Sequence, residues 1–214
     1  MQHDIGHIRH DFNQHGELSP ESLLPNPIEQ FARWFDEALQ SSMPEPNAMS
    51  LATVMNGQPS QRTVLLKYFD EQGFVFYTNY HSRKANEMAH NPQVSLLFPW
   101  YGLQRQVKIE GEVEKVSAAQ SALYFMSRPR ESQLGAWASP QSQVIDSKAL
   151  LLNELARIKA KFAKGEIPLP DFWGGYRVKP NRIEFWQGQP SRLHDRFRYQ
   201  KNPQGAWYIE RLAP

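Results

Sequence analysis

The chain has 214 residues, 40% hydrophobic and 12% aromatic, enough for a packed core in one large domain or two small ones. A net charge of +2 carries no bulk signal for a nucleic-acid or membrane partner. The absence of cysteine excludes disulfides and thiolate metal sites and fits a reducing compartment. The polar start, Met1-Gln-His-Asp-Ile-Gly-His, lacks the apolar core of a secretory signal. Runs such as Val94 to Phe98 are too short to cross a bilayer, so a cytoplasmic globular protein is expected.

Residues 1–25 are poor in apolar residues and read as a mobile arm, followed by one domain over 26–214. Asn26-Pro27-Ile28-Glu29 opens a helix, with Asn as cap, Pro at the first position and Glu where a capping box places it. Ile28, Phe31, Ala32, Phe35, Ala38 and Leu39 follow the helical period, and Ser41 to Pro46 ends it. The period then changes to that of strands at Met49–Met55, Arg62–Phe69 and Phe74–Asn79, joined by turns at Asn56-Gly57 and Asp70 to Gly73. A short helix is predicted at Ser82–His90, with strands at Val94–Pro99 and Gln104–Val116. A helix at Ala118–Ser127 is closed by Arg128-Pro129, and a long one runs over Ser147–Lys164 with Leu151, Leu155, Ile158 and Phe162 on one face. The last strands are Tyr176–Val178, Arg182–Gln187, Asp195–Gln200 and Trp207–Leu212. The expected fold is mainly β with flanking helices, a closed or split antiparallel β-barrel.

Four groups of residues could carry chemistry. Arg62-Thr-Val-Leu-Leu-Lys67 has a cation at each end of an apolar strand. The two have opposite parity, so they share a face only across a bulge and read equally well as solvated strand ends. Tyr77-Thr78 leads to Ser82-Arg83-Lys84 at a helix start, where free amides, the helix dipole and two cations suit a phosphate. Tyr124, Arg128 and Ser132 are spaced by four and would share a helix face, although Pro129 disturbs the helix and an exposed helix end fits the same residues. Arg192, His194 and Arg196 alternate, so an extended strand would converge them on one face, with Trp186 shortly before. Gln106 and Gln141-Ser142 offer further polar contacts, and Trp173-Gly-Gly-Tyr176 reads as structural. The seven histidines show no metal spacing, and no nucleophile motif, P-loop or dinucleotide loop is present. Two anion sites beside an aromatic or cationic wall suit two phosphorylated, ring-bearing ligands.

The chain closely resembles the pyridoxine/pyridoxamine 5′-phosphate oxidase family. The motifs that carry the likeness include Gln61-Arg-Thr-Val-Leu-Leu-Lys67, Phe76-Tyr-Thr-Asn79, Ser82-Arg-Lys84 and Val94-Ser-Leu-Leu-Phe-Pro-Trp100. Pro168-Leu-Pro-Asp-Phe-Trp-Gly-Gly175, Ile183-Glu-Phe-Trp-Gln-Gly188, Arg192-Leu-His-Asp-Arg196 and Arg211-Leu-Ala-Pro214 complete it. The resemblance implies an FMN-binding split barrel working as a homodimer with FMN at the subunit interface. It implies oxidation of pyridoxamine 5′-phosphate and pyridoxine 5′-phosphate by O2 to pyridoxal 5′-phosphate, releasing hydrogen peroxide, and ammonia from the amine. It implies FMN contacts from Arg62, Thr63, Val64, Leu65, Leu66, Lys67, Tyr77, Thr78, Arg83, Lys84, Gln106, Gln141, Ser142, Trp186 and Arg196. Of these, Gln106, Trp186 and Arg196 would reach a flavin held mainly by the partner. Lys67, Tyr124, Arg128 and Ser132 would hold the substrate phosphate. Arg192, Leu193 and His194 would lie near the pyridine ring, with Arg192 and His194 nearest the chemistry. The arm would close over the site through Arg9 to Phe12. The family commonly has Tyr where this chain has Phe12, so that hydroxyl's hydrogen bond is lost. Another FMN split-barrel oxidoreductase would keep the contacts around Arg62 and Arg83 without needing Arg128 or Arg192-Leu-His194. A nucleic-acid-binding barrel would need a sustained basic stripe, which the sequence lacks.

Overall fold

A computed structural model describes residues 3–8, 11, 12 and 16–214. The helices are α1 (Pro27–Gln40), α2 (Arg83–His90), α3 (Ala118–Ser127), α4 (Arg130–Ala138) and α5 (Lys148–Lys161). The strands are β1 (Ala48–Met55), β2 (Gln58–Leu65), β3 (Tyr68–Asp70), β4 (Gly73–Asn79), β5 (Gln93–Trp100), β6 (Arg105–Lys115), β7 (Trp173–Gln187), β8 (Asp195–Lys201) and β9 (Trp207–Leu212). They join in the order β2-β1-β5-β6-β7-β4-β3, with β8 on β7 and β9 on β8. The ladders β3–β4, β4–β7, β7–β8 and β8–β9 are antiparallel. Among the described residues no helix is long and apolar enough to cross a membrane.

The chain divides into two compact units. One holds Met1–Ser50, Ser95–Glu110 and Pro180–Pro214, and the other holds Leu51–Val94 and Gly111–Lys179.

In the first unit the Asn26 side chain caps α1 by accepting from the Ile28 N–H at 2.8 Å, with Pro27 at the first helical position. The buried stripe of α1 is Ile28, Phe31, Trp34 and Ala38. Trp34 takes the place expected of Leu39, which is 55% exposed. A step of three from Phe31 reaches the same face, and the larger ring buries more apolar surface there. Phe31 packs on Phe98 and Trp100, and Trp34 meets Phe185 edge-on at 5.2 Å. Alternate residues of β6, β7 and β8 (Val107, Ile109, Ile183, Phe185, Phe197 and Tyr199) complete this core.

In the second unit β4 pairs with the start of β7, from Phe74 opposite Val178 to Asn79 opposite Trp173. A second core gathers Phe125, Leu134, Ala138, Ile158, Ile167 and Trp173. Gly174 lets β7 pass close to its neighbours: a Cβ there would lie 2.1 Å from Tyr80 Oη and 2.9 Å from Ser121 Oγ.

Three elements differ from expectation. Arg62–Phe69 is not one strand: β2 ends at Leu65, and the Lys67 N–H turns to the Val75 carbonyl at 2.9 Å, so the chain changes ladder between β1 and β4. The helix Ala118–Ser127 closes at Arg128-Pro129 as expected, but a further helix, α4, follows at once, the Pro129 carbonyl accepting from the N–H groups of Ser132 and Gln133. β7 runs unbroken through Pro180 where two short strands were expected.

Candidate functional site

In the second unit, Arg62 and Arg83 converge on one carboxylate. Glu87, one turn into α2, is 2% exposed. Its Oε2 accepts from Thr53 at 2.6 Å, Ser60 at 2.7 Å and Arg62 Nη2 at 2.8 Å, and its Oε1 accepts from Arg83 Nε at 2.8 Å. Burial alone would raise this carboxyl, but the hydrogen bonds from Thr53, Ser60, Arg83 and Arg62 outweigh it and bring it down to about 2. Arg62 Nη1 also donates to Thr53 Oγ1 at 2.6 Å and the Leu51 carbonyl at 3.2 Å. Of the rest of that stretch, Leu66 is buried, Val64 and Leu65 are half-buried, and Thr63 and Lys67 are exposed.

Lys84 lies beside this group with neutral partners only. Its Nζ donates to Gln141 Oε1 at 2.8 Å, Thr78 Oγ1 at 3.2 Å and Ser82 Oγ at 3.5 Å. Burial, then the Arg62 guanidinium, push its ammonium down to about 8, against a smaller pull from Glu87. Thr78 in turn donates to Gln141 at 3.0 Å, and no acid stands in the first turn of α2. Ser142 follows in left-handed backbone, φ 68°, and is exposed.

Tyr124, Arg128 and Ser132 do not share a helix, because Arg128 lies in extended backbone between α3 and α4. Aromatic packing gathers Tyr124 and Arg128 on Trp173 instead. Tyr77 stacks on Tyr124 at 3.9 Å and on Trp173 at 5.5 Å, and the Arg128 guanidinium lies over Trp173 at 4.7 Å. Arg128 and Ser132 line a cleft of about 310 Å³ with Asn79, Ser139, Gln141 and Trp173. Arg128 Nη1 is buried there with no hydrogen-bond partner, and burial lowers its basicity. A buried, unpartnered guanidinium N–H is costly unless an anion receives it.

In the first unit, Trp186 on β7 sits opposite Arg196 on β8. With Gln106, Leu97, Lys108 and Glu184 they line a cleft of about 290 Å³. Glu184 accepts from Arg196 Nε at 2.8 Å and pairs with Lys108 at 3.3 Å.

Arg192 and His194 do not share a strand face with Arg196, because β8 begins only at Asp195 and Ser191 and Arg192 are left-handed, φ 56° and 62°. They line a separate cleft of about 660 Å³ with Ile8, Asp11, Phe12, Gln189 and Ser191. The His194 ring packs on Trp186 at 4.5 Å, and Phe12 meets both rings edge-on. The Gln189 N–H donates to His194 Nδ1 at 3.0 Å, and burial, then Arg192, lower the imidazole's basicity. Leu193 is 69% exposed. Arg9 lies outside the described residues.

A family profile described as "Pyridoxamine 5'-phosphate oxidase" matches residues 35–162, and one described as "Pyridoxine 5'-phosphate oxidase C-terminal dimerisation region" matches residues 173–214. The chain belongs to the pyridoxamine 5′-phosphate oxidase family. It is 60% identical to the pyridoxine/pyridoxamine 5′-phosphate oxidase of Dichelobacter nodosus, over 99% of this chain and 100% of that one. It is 62% identical to the enzyme of the same name from Teredinibacter turnerae, over 93% of this chain and 94% of that one. Among solved structures it is similar to PhzG from Burkholderia lata in complex with tetrahydrophenazine-1-carboxylic acid, with TM-score 0.88 and 27% identity, covering 94% of this chain and 100% of that one. A pyridoxamine 5′-phosphate oxidase-related, FMN binding protein from Nostoc punctiforme has TM-score 0.70 and 18% identity, covering 90% of this chain and 99% of that one. These likenesses show the expected split-barrel fold, antiparallel strands with flanking helices.

No motif in the sequence marked Glu87 and Glu184, which hold the arginines, Lys108, which pairs with Glu184, or Gln189, which meets His194 through its backbone. Glu87 was open to detection as an acid one turn from Arg83.

Proposed function

We propose that the chain binds FMN and oxidises pyridoxamine 5′-phosphate and pyridoxine 5′-phosphate to pyridoxal 5′-phosphate, with O2 as acceptor, in the cytoplasm. It does so as a homodimer, the state named by the family's dimerisation region. The observation that carries this reading is Arg128: a half-buried guanidinium whose Nη1 is buried and unpartnered, in a cleft of about 310 Å³ that Ser132 and Trp173 also line. That donor set fits the phosphate of a small aromatic ligand.

FMN fits the remaining groups. Lys84 at the start of α2, with Thr78 of β4 and Gln141 bonded to it, suits its phosphate, with Arg62 and Arg83 held by Glu87 close behind. The stretch from Arg62 to Lys67, with Tyr77 and Ser142, completes that half-site. Gln106, Trp186 and Arg196 form the other half-site, and in the dimer each is assigned to the flavin held mainly by the partner. When bound, FMN takes the electrons and hydrogen removed from the substrate and passes them to O2 as hydrogen peroxide.

The protein's own part is binding and orientation. Lys67, Tyr124, Arg128 and Ser132 hold a phosphate that does not react, so their binding energy fixes the ring's position. His194 accepts the Gln189 N–H at Nδ1, so its proton resides on Nε2, available to donate beside the ring. Arg192 shares that cleft and supplies fixed positive charge.

The test is the spectrum of the purified protein. A flavin band that bleaches anaerobically on adding pyridoxamine 5′-phosphate is expected. A colourless protein that takes up no added FMN refutes the reading, and a flavoprotein inert toward both phosphates indicates another split-barrel activity.

A further inference from the structure

We infer that Asp195 is a positioning residue for the reaction: its carboxylate sets both the imidazole of His194 and the N-terminal segment that packs on it. This rests on the reading that His194 stands beside the substrate.

Asp195 opens β8 and is 7% exposed. Its Oδ1 accepts from Arg211 Nη2 at 2.6 Å. Its Oδ2 accepts from Gln189 Nε2 at 2.9 Å and from the Leu18 N–H at 3.2 Å. Gln189 Nε2 also reaches the Gly16 carbonyl at 3.3 Å, and the Gln189 backbone N–H is the one that meets His194 Nδ1. One buried carboxylate therefore joins three pieces of chain: the segment at Gly16 and Leu18, the turn that carries Arg192, and the C-terminal strand.

The turn needs such an anchor. Ser191 and Arg192, neither of them glycine, both have positive φ, a conformation that persists only when surrounding contacts over-determine it. The Gln189 side chain on Asp195 and the Gln189 N–H on His194 close that turn from outside. The second bond also selects the imidazole tautomer, since an Nδ1 that accepts leaves the proton on Nε2. On the same ring, Phe12 packs edge-on at 5.4 Å and fits a slot open only because Gly188 lacks a Cβ, which would lie 2.8 Å from the Phe12 ring. Leu18, bonded to Asp195, and Gly16, bonded to Gln189, follow Phe12 closely in the chain. In a chain with no hydroxyl at position 12, this packing and the Asp195 anchor carry the segment's attachment.

The test uses the full-length holoenzyme labelled with 15N-histidine, whose long-range 1H–15N correlations report the tautomer of each ring. The His194 signals are assigned by their loss in His194→Asn. In the unaltered protein His194 is expected as the Nε2–H tautomer. Asp195→Ala and Gln189→Met should each mix the tautomers and lower kcat about tenfold or more, with FMN affinity unchanged. Asp195→Asn keeps an oxygen for Gln189 and Leu18 while turning its amide toward Arg211, so it should restore the tautomer and most of kcat. Arg211→Met should lower stability without moving the His194 signals, which separates positioning from a merely structural role. If Asp195→Ala does not fold, Gln189→Met decides. Unmoved His194 signals in the folded variants overturn the inference, as do moved signals with unchanged kcat. Full turnover in His194→Asn instead marks failure of the reading on which the inference rests.

Discussion

Glu87→Gln tests whether one carboxylate sets the cationic wall of the second unit. The substitution keeps the shape and removes the charge that Arg62 and Arg83 share. Hydrogen bonds lower the Glu87 carboxyl from 4.5 to about 2, which corresponds to about 3 kcal/mol of stability at neutral pH. The Arg83 side chain is 64% exposed, so its share is small, whereas Arg62 at 20% carries most of the pairing. A lowered carboxyl stabilises the fold above the unfolded pKa, and that contribution fades as pH falls toward the folded value. The variant should therefore be about 2–3 kcal/mol less stable in urea at pH 7, and the gap should shrink by about 2 kcal/mol at pH 3. Other acids titrate alike in both proteins and cancel in the difference. A gap below about 1 kcal/mol at pH 7, or one indifferent to acid, refutes the account.

Lys84 titrates the other way. Its ammonium is pushed from 10.5 to about 8, so its burial costs stability below pH 8, a cost relieved as pH rises from there toward 10.5. A bound phosphate favours the charged form, so FMN binding should take up a proton near pH 8.5 and weaken from pH 7 to 9.5. Calorimetry in buffers of different ionisation enthalpy reads this proton, and Lys84→Met should abolish it. Arg128→Met should raise KM for pyridoxamine 5′-phosphate about tenfold or more while the flavin-to-protein absorbance ratio holds. An unchanged KM removes Arg128 from the phosphate site. Arg192→Ala should cut turnover far more than FMN content, and unchanged turnover removes Arg192 from the chemistry.

What the sequence made legible is local, and what it hid is long-range. Asn26-Pro27 and the apolar period announced α1 because capping and amphipathicity act within a few residues. Arg128-Pro129 correctly marked the end of α3, but the same proline begins α4, which was not expected; Glu131 in its first turn was the available signal. The alternation of Arg192, His194 and Arg196 is real in the sequence, but it presumes a strand. Ser191 and Arg192 instead have positive φ, in a turn that Gln189 spans by bonds to His194 and Asp195, and neither residue is the glycine or asparagine that would have signalled it. Tyr124 and Arg128 both pack on Trp173, and Tyr124 on Tyr77, residues distant in sequence, while Ser132 joins Arg128 only in lining the same cleft. Asp195 opens β8 on the buried face, with Arg196 on the opposite one, and its partners Leu18, Gln189 and Arg211 come from three different parts of the chain.

The charges of the two half-sites follow one rule, and it separates shape from binding. Arg62 and Arg83 face Glu87, Arg196 and Lys108 face Glu184, and Arg211 faces Asp195. Each carboxylate fixes its cations in direction before any ligand arrives: Asp195 balances Arg211, while Glu87 and Glu184 each face two cations and leave one positive charge over. Lys84 and Arg128 are treated differently. Lys84 meets only hydroxyls and an amide, and Arg128 lies on the faces of Trp173 and Phe125 with Nη1 unpartnered. Both are buried enough to lower their basicity. A buried cation without a counter-ion is unstable by several kcal/mol unless one is supplied (about 3–5 when a pair is broken). Two such cations for two phosphorylated ligands is the arrangement expected if FMN and the vitamer each complete one: the flavin phosphate at Lys84, the substrate phosphate at Arg128.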